Sequence, residues 1–260
     1  FIAIVINLGV LVVLKYTNFF GENIFAIFHQ PFTPVRLIAP IGISYYTLQM
    51  ISYLMDTSSG KIHSDHSIVD FAVYANFFPT LIQGPITRFN EIKDSIHAGN
   101  PITYQNLKFG SQRILFGLMK KMIIADRLDP AVSKIFTSYT QDGLFSLIGA
   151  VLCTIQLYMD FSGIVDICLG SAEIFGIKLP ENFRQPFFAE NASDFWRRWH
   201  ITLGTFLRDY VFYPISLAKP IRRLSKFFTK HFSKAAGKFI GPFIALFTVW
   251  FLNGLWHGPY

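Results

Sequence analysis

Apolar runs separated by short polar interruptions organise this chain of 260 residues. A helix needs about 20 apolar residues to cross the hydrocarbon core of a bilayer. Residues 1–14, 37–54, 68–82, 144–177 and 239–256 approach that length and predict spans. Gln83-Gly84-Pro85 ends the third run, and Ser162-Gly163 predicts a kink or break within the fourth. Residues 107–125 mix Arg113, Lys120 and Lys121 with apolar positions, which predicts a tilted or interfacial helix rather than a plain span. No fixed-period repeat or low-complexity tract is present, so solenoids and linkers are not expected. The pattern as a whole predicts an all-α, polytopic membrane bundle.

Polar residues inside these runs are the candidates for chemistry, because ionisable groups at membrane depth are costly and usually face a protein interior or a wet cavity. Tyr45, Gln49, Ser52 and Asp56 follow an i, i+4, i+7, i+11 stripe. Gln156 and Asp160 stand four apart, with Gly163 on the same side and Asp166 further round. Singly, each is also what a helix–helix hydrogen bond looks like; together they predict a shared polar cavity. Residues 194–213, DFWRRWHITLGTFLRDYVFY, read as one amphipathic helix of about four turns. Trp196, Trp199, Leu203, Phe206 and Tyr210 fall on its apolar side, Arg197, Arg198, Thr202, Arg208 and Asp209 on the other, and His200 at the edge. Asn191, Ser193 and Asp194 are possible caps. The alternative is an interface anchor with snorkelling arginines. Near the end, Asn253 and His257 are four apart and share a face with Trp250, while Gly254 permits close approach of a backbone or substrate. A histidine there can stay neutral and accept a proton from a hydroxyl; the alternative is a packing histidine.

Composition supports the membrane reading. Hydrophobic residues make up 52% and charged residues 15%, against roughly 25% charged in soluble domains. The net charge of +7 is concentrated locally. Lys219, Arg222, Arg223, Lys226, Lys230, Lys234 and Lys238 are followed by no acidic residue, which predicts a basic helix lying against anionic lipid on the cytoplasmic side and argues against a nucleic-acid surface. Two cysteines, Cys153 and Cys168, sit in apolar sequence and suggest neither a disulfide framework nor a thiolate metal site. His63 and His66 have a metal-like spacing but read as a solvated loop, and no HExxH or GxSxG is present, so neither metal chemistry nor a serine acyl-enzyme is expected. With Phe1 already inside an apolar run, the chain reads as an internal slice of one domain covering residues 1–260.

The ordered fragments APIGISYYTLQMISYLMD, FFPTLIQGPITRF, YMDFSGIVDICLGSAEIFGIKLPENFRQPF, DFWRRWHITLGTFLRDYVFYPI and NGLWHG resemble the membrane-bound O-acyltransferase family. The nearest branch is bacterial and includes alginate O-acetyltransferase and the teichoic acid D-alanyl transfer protein. The resemblance implies spanning, re-entrant and interfacial helices around a funnel whose narrow point holds the family's catalytic histidine. His257 in LWHG matches that histidine, and His200 in RRWH matches a second characteristic histidine, the other candidate for catalysis. Asp160 and Ser162, Gly84, Pro85 and Arg88, and Pro180, Glu181 and Asn182 match motifs that shape the funnel. Family members begin with earlier helices and continue past WHG.

The expected function is transfer of an acyl group, preferably acetyl, to hydroxyls of a cell-surface polysaccharide by a multi-pass protein of the plasma (inner) membrane. His257 would act as base, with Asn253, indole N–H groups, Arg197 or Arg198 as candidate oxyanion donors. No bound cofactor is expected. The donor would be a thioester of a small acidic carrier protein, met by Arg197 and Arg198, or of coenzyme A. Membrane lipids and an envelope glycan acceptor or downstream transferase complete the expected partners. D-alanyl transfer to teichoic acid is the same-class alternative. A channel or transporter is the alternative of another class, weakened by the absence of two related halves.

Overall fold

The computed structural model describes residues 2–62, 67–138 and 143–258. The His63–His66 pair lies outside them. Every element among the described residues is a helix. The first apolar run forms α1 (Ile2–Leu11) and α2 (Thr17–Ile27), joined by a π-helical turn over Val12–Tyr16. The next helix, α3 (Ile43–Ser58), starts later than the apolar run that predicts it, because Pro40 precedes it and Gly42 takes a left-handed conformation, φ 79°. Residues 68–82 do not form one span. They give α4 (Ile68–Ala75), opened by a Ser67–Asp70 capping box, and the single-turn α5 (Phe78–Leu81) with Pro79 near its start.

After α6 (Phe89–His97), one continuous helical path comprises α7 (Tyr104–Leu118), a π-turn over Met119–Ala125 and α8 (Asp126–Ser138). The helix α9 (Gly143–Ile174) runs for 32 residues through Ser162-Gly163 without the expected break. The predicted four-turn helix over 194–213 is instead split into α10 (Ala192–Arg198), α11 (Ile201–Leu207), a π-turn over Arg208–Phe212 and α12 (Tyr213–Ser216). The basic segment is also divided. The helix α13 (Lys219–His231) ends before Ser233, whose side chain caps α14 (Lys234–His257), so Lys234 and Lys238 belong to the last helix.

Three helical stretches are long and apolar enough to cross a membrane: Ile2–Ile27, Gly143–Ile174 and Lys234–His257. Only 11%, 6% and 17% of their most apolar windows is buried, leaving broad apolar faces for lipid or for further helices.

The chain divides into two compact units, Phe1–Ser64 with Leu203–Tyr260, and Asp65–Thr202. In the first, Leu11, Tyr16 and Ile43 form a buried cluster against which Leu14, Tyr46 and Leu255 pack. There α13 folds back on the start of α14, where Gly241 keeps the surface low: a Cβ at that position would stand 3.3 Å from Ser225 Oγ. In the second unit, α7 and α9 meet backbone to backbone at Gly110 with Gly170 and Gly117 with Gly163. Gly163 is therefore a packing residue rather than a hinge. Cys168 Sγ donates to the Gln83 carbonyl at 3.0 Å, fixing the segment after α5 to α9.

Candidate functional site

In the first unit, the candidate chemistry gathers at the end of α14. The helix stops at His257 because Gly258 is extended and is followed in sequence by proline. Asn253 and His257 lie in its last turns, as the spacing predicts. Trp256 is edge-on to His257 with ring centroids 4.8 Å apart, and its Nε1–H donates to the Ser44 carbonyl at 3.3 Å. Tyr45 packs edge-on against the other side of this arrangement, 5.5 Å from the Trp256 ring. A side chain at Gly254 would meet nothing within 4 Å, so the glycine opens space beside the histidine rather than admitting a neighbouring backbone.

Sequence reasoning missed Lys15. Its Nζ donates to Ser44 Oγ at 3.1 Å and to the Trp256 carbonyl at 3.2 Å. Tyr16 OH donates to the Leu255 carbonyl at 3.1 Å. The available signal was that Lys15 is the sole charge between Phe1 and Gly21.

Of the stripe on α3, Gln49, Ser52 and Asp56 are buried and Tyr45 half-buried, and Ser52 and Asp56 hydrogen-bond to protein groups. Ser52 Oγ donates to the Gln49 carbonyl at 2.7 Å. Asp56, 4% exposed, accepts from Tyr210 OH at 2.6 Å and pairs with Lys61 at 3.2 Å. Two neutral or cationic donors thus offset the cost of taking this carboxylate out of water.

In the second unit, His200 stands at the break between α10 and α11 with φ 45°, a left-handed conformation unusual for a non-glycine residue. Its ring is only 4% exposed, far from the edge position expected of a regular helix, and meets Phe161 edge-on at 4.8 Å. Asn182, fully buried, explains the geometry. Its Oδ1 lies 3.2 Å from His200 Nδ1 and accepts from Thr202 N–H at 3.1 Å and Thr202 Oγ1 at 3.0 Å. Its carbonyl accepts from Ile201 N–H at 3.0 Å. Donation from Nδ1–H to Asn182 places the ring's lone pair on Nε2.

The remaining site residues in this unit are occupied locally. Arg88 opens α6, its amide donating to Glu91 Oε2 at 2.8 Å. Arg197 Nε donates to the Ser193 carbonyl at 3.3 Å, and Arg198 Nε to Asp194 Oδ2 at 2.8 Å. Asp160 pairs with Lys121 at 2.6 Å. Six residues further along α9, Asp166 pairs with Lys120 at 2.6 Å and Arg113 at 3.0 Å, while Arg113 also clasps Glu181 through two bonds of 2.7 Å. Arg113, Lys120 and Lys121 therefore face the carboxylates of α9 and its following loop. Among the described residues, no group of three or more His, Cys, Asp or Glu side chains is placed to hold a metal.

These motifs are matched by known proteins. The model of the membrane-bound O-acyltransferase family matches residues 52–233. The chain belongs to the membrane-bound O-acyltransferase family. A probable alginate O-acetylase of Pseudomonas aeruginosa is 37% identical over 99% of the chain and 47% of its own length. A peptidoglycan O-acetyltransferase of Helicobacter pylori is 32% identical over 99% of the chain and 51% of its own length. A teichoic acid D-alanyltransferase of Bacillus subtilis is 33% identical over 71% of the chain and 47% of its own length. The chain thus spans about half the length of the curated relatives it matches. In this family member, His200 and the Arg113 network fall within the stretch matched to the family, while Lys15, Asn253 and His257 lie outside that stretch but inside the matches that cover 99% of the chain.

Proposed function

We propose that the protein is an O-acetyltransferase of the plasma (inner) membrane, multi-pass, which esterifies hydroxyls of an envelope polysaccharide, and that residues 1–260 form part of a single acyltransferase domain. The observation that carries the choice of acetyl is the match over 99% of the chain to two proteins named for O-acetyl transfer, against 71% for the D-alanyl relative. D-alanyl transfer is the second reading and uses the same chemistry.

His257 Nε2 or Nδ1 takes the proton of the acceptor hydroxyl, whose oxygen attacks the thioester carbonyl of the donor. The resulting oxyanion needs a hydrogen-bond donor, and Asn253, one turn back on the same helix, supplies an amide. Collapse breaks the carbon–sulfur bond, and the imidazolium returns the proton to the departing thiolate. Open space at Gly254 gives room for the reacting groups. His200, buried and clasped by Asn182, serves by shaping the segment on which Arg197 and Arg198 stand, and these two arginines meet the acidic groups of coenzyme A or of a carrier protein. Asp160 and Arg88 contribute to the funnel wall. The basic α13 rests on the cytoplasmic leaflet.

The test replaces His257 in the full-length protein and measures ester on envelope polymers by mass spectrometry, at equal amounts of folded protein. His257→Ala and His257→Gln both lower transfer by about 100- to 10,000-fold if the ring moves a proton. Near-normal transfer by the glutamine variant, which keeps the hydrogen-bonding capacity but not the basicity, removes His257 as the base. The mass of the ester separates acetyl from alanyl.

A further inference from the structure

A lysine in the middle of an apolar helical stretch needs a reason. Lys15 lies within the candidate span Ile2–Ile27, where an ammonium facing lipid would be costly. It does not face lipid. Its Nζ points to the Trp256 carbonyl and Ser44 Oγ, and its neighbour Tyr16, 4% exposed, reaches the Leu255 carbonyl. Those two consecutive carbonyls belong to the last turn of α14, where a helix has no partners of its own to offer. A helix C-terminus also carries partial negative charge, which a cation complements.

We infer that Lys15 and Tyr16 act as a C-terminal cap supplied by another helix, and that this cap is a positioning device for His257. The inference rests on the reading of His257 as the reacting base, which it deepens. Three contacts close a triangle around the residue before the histidine. Lys15 binds Ser44 Oγ and the Trp256 carbonyl, and Trp256 Nε1 returns to the Ser44 carbonyl at 3.3 Å. With both its carbonyl and its indole held, Trp256 presents a fixed edge to the His257 ring at 4.8 Å. Lys15 and Tyr16 close the π-turn over Val12–Tyr16, and both reach the last turn of α14. Neither residue is placed in contact with substrate, so neither is a catalytic residue in its own right.

The experiment uses the full-length protein in three variants: Lys15→Met, Lys15→Arg and Tyr16→Phe. Hydrogen exchange, followed by mass spectrometry on peptides covering 251–258 and 241–250, reads the cap without reference to activity. Polysaccharide O-acetyl ester per folded molecule reads the consequence. Lys15→Met should speed exchange over 251–258 by about tenfold, leaving 241–250 unchanged, because a bond from a charged donor to an end carbonyl is lost. Ester per folded molecule should fall by about tenfold as well, and Lys15→Arg should restore both, since arginine keeps the cation and its donors. A merely structural lysine would lower the amount of folded protein while leaving ester per folded molecule intact, and that result overturns the proposal. Unchanged exchange over 251–258 in Lys15→Met overturns it whatever the ester level. If Lys15→Met does not accumulate, Tyr16→Phe, which loses one hydroxyl and keeps the packing, should show the same pattern at about threefold. If the wild-type protein forms no ester, the proposed function fails, and the exchange data alone decide whether the cap exists.

Discussion

Gly117→Ala is the substitution for which the structure gives the firmest number. A Cβ at this position would lie 2.5 Å from the Gly163 carbonyl oxygen and 2.9 Å from Ile167 Cγ1. Carbon and oxygen rest at about 3.3 Å, so the new methyl group intrudes by about 0.8 Å. The obstructing atom is main chain and cannot rotate away. Relief requires α7 and α9 to separate, which also pulls on the facing pair at Gly110 and Gly170, where a Cβ on either would stand 2.6 Å from the other's carbonyl. Overpacking of this kind costs about 1–3 kcal/mol, and the upper end applies where no side chain can yield. Alanine returns about 1 kcal/mol of helix propensity, leaving a net loss of about 2 kcal/mol. At roughly 2–4 °C per kcal/mol for a chain of this size, the unfolding midpoint should fall by about 4–8 °C. The assay is thermal unfolding of the detergent-purified, full-length protein. Gly9→Ala is the control, for nothing lies within 4 Å of a Cβ there, and it should be neutral or stabilising by up to about 1 kcal/mol. If both variants unfold at or above the wild-type temperature, the close approach of α7 and α9 is wrong.

Asp166→Asn should cost about 3 kcal/mol, because it leaves Lys120 and Arg113 short of an anion in an interior where Asp166 is 8% exposed; an unchanged midpoint in thermal unfolding would show that the pair contributes nothing. Asn182→Ala strands the Thr202 amide and hydroxyl as well as His200, and should lower stability by about 2–3 kcal/mol in the same assay. A thiol introduced as Lys226→Cys, exposed on α13, in a chain freed of Cys153 and Cys168, should react with an impermeant reagent only after cells are permeabilised; labelling of intact cells would place the basic helix outside and reverse the topology proposed.

The apolar runs made the helical class and the first, fourth and last membrane helices legible, because lipid exposure leaves a compositional trace that needs no tertiary information. Short-range chemistry was legible too: Asn191 caps α10 by accepting the Asp194 amide at 2.9 Å, and Asn253 and His257 share the end of α14. What failed required knowledge of distant partners. Ser162-Gly163 looks like a break in isolation, yet Gly117 on another helix needs that glycine to stay helical. The 194–213 segment has a good amphipathic period, but Asn182 draws His200 into a left-handed conformation and divides the helix. Arg113, Lys120 and Lys121 resemble interfacial cations until Asp160, Asp166 and Glu181 are seen opposite them.

The three π-turns share a feature that explains why these groups escaped a periodicity reading. They contain Lys15 with Tyr16, Lys120 with Lys121, and Arg208 with Asp209 and Tyr210. A 3.6-residue template assigns consecutive residues to directions about 100° apart, and so sends one of each pair away from any single neighbour. The structure does the opposite twice. Lys120 and Lys121 both reach carboxylates of α9, and Lys15 and Tyr16 both reach carbonyls of α14. In the third turn, Tyr210 reaches the buried Asp56 while Arg208 and Asp209 pair with each other at 2.8 Å. A wider turn gives up the better hydrogen-bond geometry of the α-helix, and such turns are rare and concentrated where function needs a side chain re-aimed. Here the gain is electrostatic. In the first two turns, consecutive polar or charged side chains are brought onto one neighbouring helix, α14 in one case and α9 in the other.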